Sequence, residues 1–510
     1  MVNKVYSNRI SEFTHENGGR VLVLFLLFCI AIYEYLTAGL PAFAIVCALP
    51  FIVIFVYFAF KGRMMAFWAL IFINYFVQFK SIPMPIPISL PNEMLEILLL
   101  CLAIIDSRQN SHFERCGNLM LFSLAIWCSF CILEVLNDTC GLGINIAAWF
   151  NGARLMGFQL LYIFLVFTIY VSTPEILIRY LKIWAFLTLF SALWTWKQQH
   201  IGLTPGESSF LYGRGAVTHI IQGGTLIRYF STFSDAATYG CNATAAATAF
   251  IIFSITSKIK KDRLIFLIIA LIAIYNMFAS GTRTAVACLF GGFALYILLS
   301  KSIRIAVPSI LAGGILLFIL AFTNIGQGNQ QIRRMRSAFD KSDASAKTRD
   351  INQETMRKYM RDAPWGIGLG MYGEQVPANN KYNRMATIPP DSEYVFIWLR
   401  TGIIGITVFV ITVLIMLIGA CYIVMFRLKS PSLIGIGGGL CSAFFAIQLA
   451  GYANQVLLQY PNGLIFYGGL SIVYILPYIE PEWIKYEEKR FAEQEEKKRM
   501  KLEKKNAARV

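Results

Sequence analysis

Runs of about 20 apolar residues recur from near the start of this 510-residue chain to about residue 480, each long enough to cross roughly 30 Å of hydrocarbon as a helix. This recurrence limits the fold more than any motif does. Inside hydrocarbon the backbone must satisfy its own N–H and C=O groups, which leaves helices or a closed barrel. The runs show no period-two alternation of the kind strands need, so the fold class expected is an all-α polytopic membrane protein. A content of 57% hydrophobic and 15% charged residues, with a mean hydropathy of +0.58, excludes an ordinary soluble domain.

The runs predict about fourteen transmembrane helices, with twelve as the lower bound. They cover residues 20–38, 41–60, 64–78, 93–105, 117–136, 155–171, 176–197, 238–256, 264–280, 284–300, 303–323, 401–426, 432–456 and 461–479. The third and fourth are short and flank the proline-rich turn "KSIPMPIPISLPN". The expected organisation is one transmembrane domain over 1–480, a large loop over 324–392 between the eleventh and twelfth spans, and a charged tail over 481–510.

Short loops rich in Lys and Arg stay in the cytoplasm. "KGR" at 61, "DSRQNSHFER" at 106, "RYLK" at 179, "KIKKDR" at 258, "KSIR" at 301, "RLK" at 427 and the tail after 485 all fall on one side under this span list. Both termini are therefore expected inside, with the stretches near 137–154, 200–237 and 324–392 outside. The first twenty residues are too long and too acidic for a signal-peptide n-region, and the first span is read as retained.

The net charge of +16 lies largely in the inside loops and in "EKKRMKLEKKNAAR", where it orients the chain and meets anionic lipid rather than nucleic acid. Eleven cysteines are scattered through the spans as small apolar fillers. Four histidines, His15, His112, His200 and His219, form no ligand spacing, so neither a metal nor a cofactor is expected.

Chemistry is expected at the outer face. The 324–392 loop carries eleven Lys or Arg against seven Asp or Glu, and its "GIGLG" follows no strand, which argues for a folded-back turn rather than a nucleotide site. Arg154 in "NGARLMG" is expected to begin the sixth span, and Arg283 in "FASGTRTAV" to lie between the ninth and tenth. Arg400 in "WLRTG" is expected to start the twelfth, and Arg228 in "RYFSTFSDAATYG" to precede the eighth. An arginine alone at a span end snorkels to headgroups; four on one face beside a basic loop suit a phosphate or pyrophosphate gripped in bidentate fashion. Glu34, Glu93, Glu96 and Glu134, near outward ends of spans, are candidates for binding sugar hydroxyls or pairing with these arginines. In "TIPPDSEYVFIWLRTGIIGI", Asp391 or Ser392 reads as a helix cap and Glu393 as a dipole partner, with a catalytic carboxylate as the rival reading.

Taken in order, "RYFSTFSDAATYG", "SGTRTA", "RRMRSAFDKSDASAKTRDINQETMRKYMRDAPWGIGLGMYG" and "PDSEYVFIWLRTGIIGI" resemble the elements of the O-antigen polymerase and O-antigen ligase superfamily of bacterial envelope proteins. The resemblance covers roughly residues 210–420 by motif and the chain by topology. It implies a glycosyltransferase of the GT-C-like, lipid-donor type, moving a glycan from undecaprenyl pyrophosphate to a hydroxyl at the outer face of the inner membrane. Carried over residue by residue, Arg283 and Arg349 would bind the donor pyrophosphate, with Arg228 less securely aligned; Arg400 and Arg154 join them as candidates from their position. The ligase pattern has a His where this chain has Asp391 and Ser392, which puts Asp391, or Glu393, forward as the base and favours a polymerase of O-antigen, capsule or exopolysaccharide over a ligase. A flippase or transporter is the alternative of another class. The partners implied are the lipid-linked glycan, inner-membrane lipids and a chain-length regulator.

Overall fold

In the computed structural model, the residues described are 18–38, 62–80, 89–105, 112–221, 226–301, 330–336 and 344–507, with single residues between 53 and 57 and between 307 and 328. The expected second and eleventh spans, His15 and the turn at 81–88 lie outside them. The chain divides into a small unit, 1–69 with 84–87, and a large one, 70–83 with 88–510. The small unit contains the helix Gly18–Ala38, which matches the first expected span, and the first turns of a helix, Arg63–Phe76, that continues into the large unit. The large unit holds the rest, including every candidate residue except Glu34, whose side chain lies outside those described.

Nine helices among the described residues are long and apolar enough to cross a membrane. They match nine of the predicted runs, and helix Leu90–Ile105 matches the fourth. The centre is Ala236–Thr256, which packs against Lys260–Ala279, Arg283–Ser300 and Pro431–Gly451. Its small residues explain why. Ala243, Ala245, Ala246, Ala247 and Ala249 are buried, and Gly435 and Gly439 of the Pro431–Gly451 helix let Thr256 and Phe253 approach closer than any side chain would allow. The described residues contain one strand pair, Ile220–Ile221 with Leu226–Ile227, antiparallel and two residues long.

Two spans begin earlier than hydropathy places them. A helix starts at Ile146, capped by the Asn145 side chain, and runs through a π-helical turn at Arg154–Phe158 into Gln159–Tyr170. Arg154 therefore sits eight residues inside the helix and does not open it. Likewise the twelfth expected span begins at Glu393, not 401, so Arg400 is seven residues in. Each extension adds a mixed polar turn that an apolar window passes over. At the far end, the last span continues without a break into the charged tail as a single helix, Gly468–Ala507. Its Glu480 accepts the N–H groups of Lys429 and Ser430 at 2.7 and 2.6 Å, while Arg490 and Lys182 both pair with Asp262 and Glu487 pairs with Lys258. The tail is thus tied to the bundle end that carries the basic short loops.

Residues 344–392 of the long loop form a folded cap. Its helix Ala344–Met360 and short helix Asn383–Thr387 share a small core with Cys140, Ala148 and Leu399, built from Met356, Met360, Ile367, Val376 and Met385. Asn137 donates to Trp365 O and Asn380 to Cys140 O, both at 2.8 Å, which fastens the cap to the 134–148 connection.

Glu207 is a second anchor at this end. It caps its own helix with Thr204 and receives Trp194 Nε1 at 2.6 Å, Gln198 Nε2 at 2.9 Å and Lys197 Nζ at 3.2 Å. Burial by itself raises its pKa, but these donors outweigh burial and hold the carboxyl below its ordinary value of 4.5. A depressed carboxyl contributes stability that is complete above that value and lost as pH falls through the folded pKa. Glu207→Gln is therefore expected to lower the melting temperature at pH 7 and to flatten its fall on acidification, as measured by thermal unfolding in detergent from pH 7 to 3.

Candidate functional site

The candidate residues gather at one end of the bundle, on three neighbouring clusters. The first is built on the turn "SGTR". The helix Lys260–Ala279 ends at Ser280, Gly281 adopts φ +59°, and the next helix opens at Arg283. Ser280 Oγ donates to Met277 O at 2.7 Å and accepts from Thr282 N at 3.2 Å, so the turn is braced from within. Gly240 on the central helix allows it close: a Cβ there would lie 2.2 Å from Ser280 Oγ. Arg228 reaches over this turn, donating from Nε to Ser280 O at 3.3 Å, from Nη2 to Thr282 Oγ1 at 3.0 Å and from Nη1 to Thr218 O at 2.8 Å. Arg334, which the motif reading did not single out, donates from Nε to Gly281 O at 2.7 Å. Half-buried Arg283 completes three arginines from three separate segments around four residues. Arg349 lies in the cap helix Ala344–Met360; its side chain is outside the described residues.

His219 supports this cluster from below. Its Nε2 accepts the Ala236 N–H at 3.0 Å, which fixes the proton on Nδ1, where it faces Gly215 O at 3.0 Å. Burial, then the nearby Arg228 charge, push its pKa down to about 4. Neutral imidazole is the folded form, so its contribution is complete above its ordinary value of 6.5 and is lost as pH falls toward 4. Between those values the turn beside Arg228 is expected to loosen, read as faster amide exchange at Ala236 at pH 4.5 than at pH 7 after correction for intrinsic rates. His219→Asn is expected to remove most of that difference.

The second cluster is where the cap joins the membrane helix. Ser392, not Asp391, is the N-cap: its Oγ accepts Val395 N at 3.4 Å and donates to Gly451 O at 3.0 Å. Asp391 is half-buried with φ +44°, an uncommon conformation for a residue other than glycine. Glu393 is 2% exposed, and its Oε2 accepts Leu457 N at 3.0 Å, with Val456 and Leu458 N–H turned toward it. It therefore holds the 454–458 turn. Arg400 is buried too, its guanidinium 4.4 Å from the Tyr372 ring centre and 5.4 Å from that of Phe396, with Nη1 donating to Met371 O.

Arg400 sits where the helix breaks. Gly402 has φ 64° and ψ −169°, and the break exposes the carbonyls of Leu399 and Arg400. The "GIGLG" loop takes them up: Ile367 N donates to Leu399 O at 2.9 Å and Gly368 N to Arg400 O at 3.0 Å, while Ile404 N reaches Pro364 O at 3.3 Å. The glycines are there for closeness. A Cβ on Gly370 would sit 1.7 Å from Ala148 O, and one on Gly402 1.9 Å from Pro364 O. The loop is wedged between two membrane helices and supplies the amides that a broken helix lacks.

The third cluster surrounds Arg154. Its Nη1 pairs with Glu93 Oε2 at 3.1 Å and its Nη2 donates to Ser89 Oγ at 3.3 Å. Glu96 is fully buried close to Glu93. Glu134, also buried, accepts from Asn137 at 2.8 Å and belongs to the cap attachment.

One segment, 452–462, joins all three. Asn454 and Leu457 meet Glu393; Tyr460 OH accepts from Gln159 Nε2 at 3.0 Å; Gln459 meets Gln78 at 3.5 Å; Asn462 Oδ1 accepts from Asn242 of the central helix at 2.8 Å. Apolar patterning places 452–456 at the end of one span and 461–462 at the start of the next, leaving only 457–460 between them, whereas the helix ends at Gly451. The signal was present in "NQVLLQYPN", four amide side chains where the apolar runs stop. The structure thus divides the predicted arginines. Arg228 and Arg283 cluster with Arg334 at the "SGTR" turn, while Arg154 is paired with Glu93 and Arg400 is locked under the cap.

Comparison with known families matches residues 267–410 to the model described as O-antigen ligase. The matched segment contains the "SGTR" turn, Arg334, Arg349, the glycine wedge, Asp391, Glu393 and Arg400; Arg154 and Arg228 lie before it. No curated protein matches the chain.

Proposed function

We propose, from the premise that residues 267–410 carry an O-antigen ligase domain and place the chain in the O-antigen ligase and polymerase superfamily, that it is a polymerase of lipid-linked repeat units. The match to that family and the nine helices fit to span a bilayer among the described residues support an integral membrane protein that transfers glycans. The finer reading is that the donor is a glycan on undecaprenyl pyrophosphate, used at the outer face of the inner membrane with both termini inside.

The observation that carries it is the convergence of Arg228, Arg283 and Arg334 on one braced turn. A pyrophosphate is already a good leaving group, so catalysis consists of placing positive charge where negative charge grows. Arginines fixed in advance by backbone carbonyls do this with little reorganisation. In the transfer, an acceptor hydroxyl forms a bond to the donor's anomeric carbon, the bond from that carbon to the pyrophosphate oxygen breaks, and the hydroxyl proton passes to a base. Asp391 is the better candidate for that base, because Glu393 is engaged by the 454–458 amides. Arg349 is proposed to reach the same donor from the cap helix. A ligase that passes the glycan to lipid A core or another acceptor is the second reading, favoured by the description of the matching family.

Deleting the gene and resolving the surface glycan on a gel separates the readings. A polymerase mutant leaves one repeat unit on its acceptor. Accumulated lipid-linked polymer would make the protein a ligase, and units retained inside would make it a flippase. Complementation with Asp391→Asn is expected to leave only short products; a normal ladder from that variant would remove Asp391 from the reaction.

A further inference from the structure

Resting on that reading, we propose that Asn92, Glu93 and Glu96, with Arg154, form the subsite that holds the hydroxyl groups of the acceptor sugar. Spacing of three and four residues sets Asn92, Glu93 and Glu96 on one face near the start of helix Leu90–Ile105. Asn92 and Glu96 are both 0% exposed, and neither the Asn92 amide nor the Glu96 carboxyl has a hydrogen-bond partner among the described residues. Glu93 Oε1 and Arg154 Nε are also unpartnered there. A buried polar atom left unpaired is costly, and more so when it is charged, so this many on one face calls for a polar occupant.

The chemistry of the wall selects that occupant. It offers carboxyl groups, an amide and a guanidinium N–H, a mixed set of acceptors and donors suited to vicinal sugar hydroxyls, which both donate and accept. Tyr162 and Tyr460 lie near both acids, and the Tyr460 hydroxyl is held there by Gln159. Arg154, with a side chain one-fifth exposed beside Glu93 at 7%, is the most exposed of the four residues and opens the π-helical turn Arg154–Phe158. The 452–462 segment runs from this subsite, through Tyr460, to Glu393 at the cap and, through Asn462, to the central helix that braces the arginine turn. Acceptor and donor sites would then share one scaffold.

The test is calorimetric titration of the purified full chain with the repeat-unit oligosaccharide released by mild acid from the cell's own lipid-linked pool. Undecaprenyl pyrophosphate, titrated separately, reports folding and the donor site. Glu96→Gln, which keeps shape, and Asn92→Ala are each expected to weaken oligosaccharide binding tenfold or more and to leave undecaprenyl pyrophosphate binding within about twofold. In a transfer assay the same variants are expected to raise the acceptor KM with kcat within about threefold. Oligosaccharide binding equal to the native protein's in both variants, with donor binding intact, would overturn the subsite. Absence of oligosaccharide binding by the native protein would overturn it too. A native protein that binds the oligosaccharide but transfers nothing would instead refute the polymerase reading and leave the subsite standing.

Discussion

Alanine at Arg283 is expected to slow glycan transfer by about 100-fold or more, the cost of removing one preorganised donor from a site where charge develops. Arg283 opens a helix directly after a turn held by Ser280, Thr282 and Gly281, so its position is set by the backbone and not by a flexible loop. Arg283→Lys keeps the charge but loses the planar fork, and is expected to recover only part of the rate. Alanine at Arg334, which meets the same turn through Gly281 O, is expected to show a loss of the same kind. The measurement is the initial rate of polymer formation by purified protein, paired with a melting curve for each variant. A native rate from Arg283→Ala would remove the arginine turn from the chemistry.

The second large effect falls on stability. Gly402→Ala puts a side chain on a backbone with φ 64° and ψ −169°, a region that only glycine occupies readily, and drives its Cβ to 1.9 Å from Pro364 O. Strain of about 1–3 kcal/mol and an overlap that backbone movement alone can relieve would be expected to lift the "GIGLG" loop from the broken helix. Leu399 O and Arg400 O would then lose their amide donors and Arg400 its place over Tyr372. The expected result is a sharp fall in folded yield and in melting temperature, with the cap cleaved faster by protease. Gly117→Ala, whose Cβ would meet nothing closer than 3.8 Å, serves as the comparison and is expected to behave as the native protein does.

What could be read in advance follows from what apolar patterning records. Hydrophobic runs located nine spans, Ala236–Thr256 among them, because such a stretch has no other way to satisfy its backbone in lipid. The same patterning misplaced Arg154 and Arg400. It ends a span where polarity begins, whereas Asn145 and Ser392 start helices within mixed sequence and carry both arginines well inside them. The "SGTR" turn was legible as a motif, since two apolar runs separated by four small or polar residues leave one geometry. Arg334 was not, because its partner, Gly281 O, is 53 residues away and presents no side chain to suggest it. Glu393 looked like a dipole partner of its own helix; its binding to Leu457 N depends on a contact across 64 positions. The glycines of "GIGLG" read as a folded-back turn, but the carbonyls they serve are created by the break at Gly402, which only the folded chain displays.

If the arginine turn binds a lipid pyrophosphate and the protein joins the glycans it carries, both activities follow from the purified chain alone. Reconstituted in liposomes with undecaprenyl-pyrophosphate-linked repeat units, it can be assayed for the glycan and the released lipid together. The expected result is a ladder of products with one undecaprenyl pyrophosphate freed per unit added, and both lost in Arg283→Ala. Movement of intact lipid-linked units across the bilayer, with no ladder and no freed lipid, would contradict it.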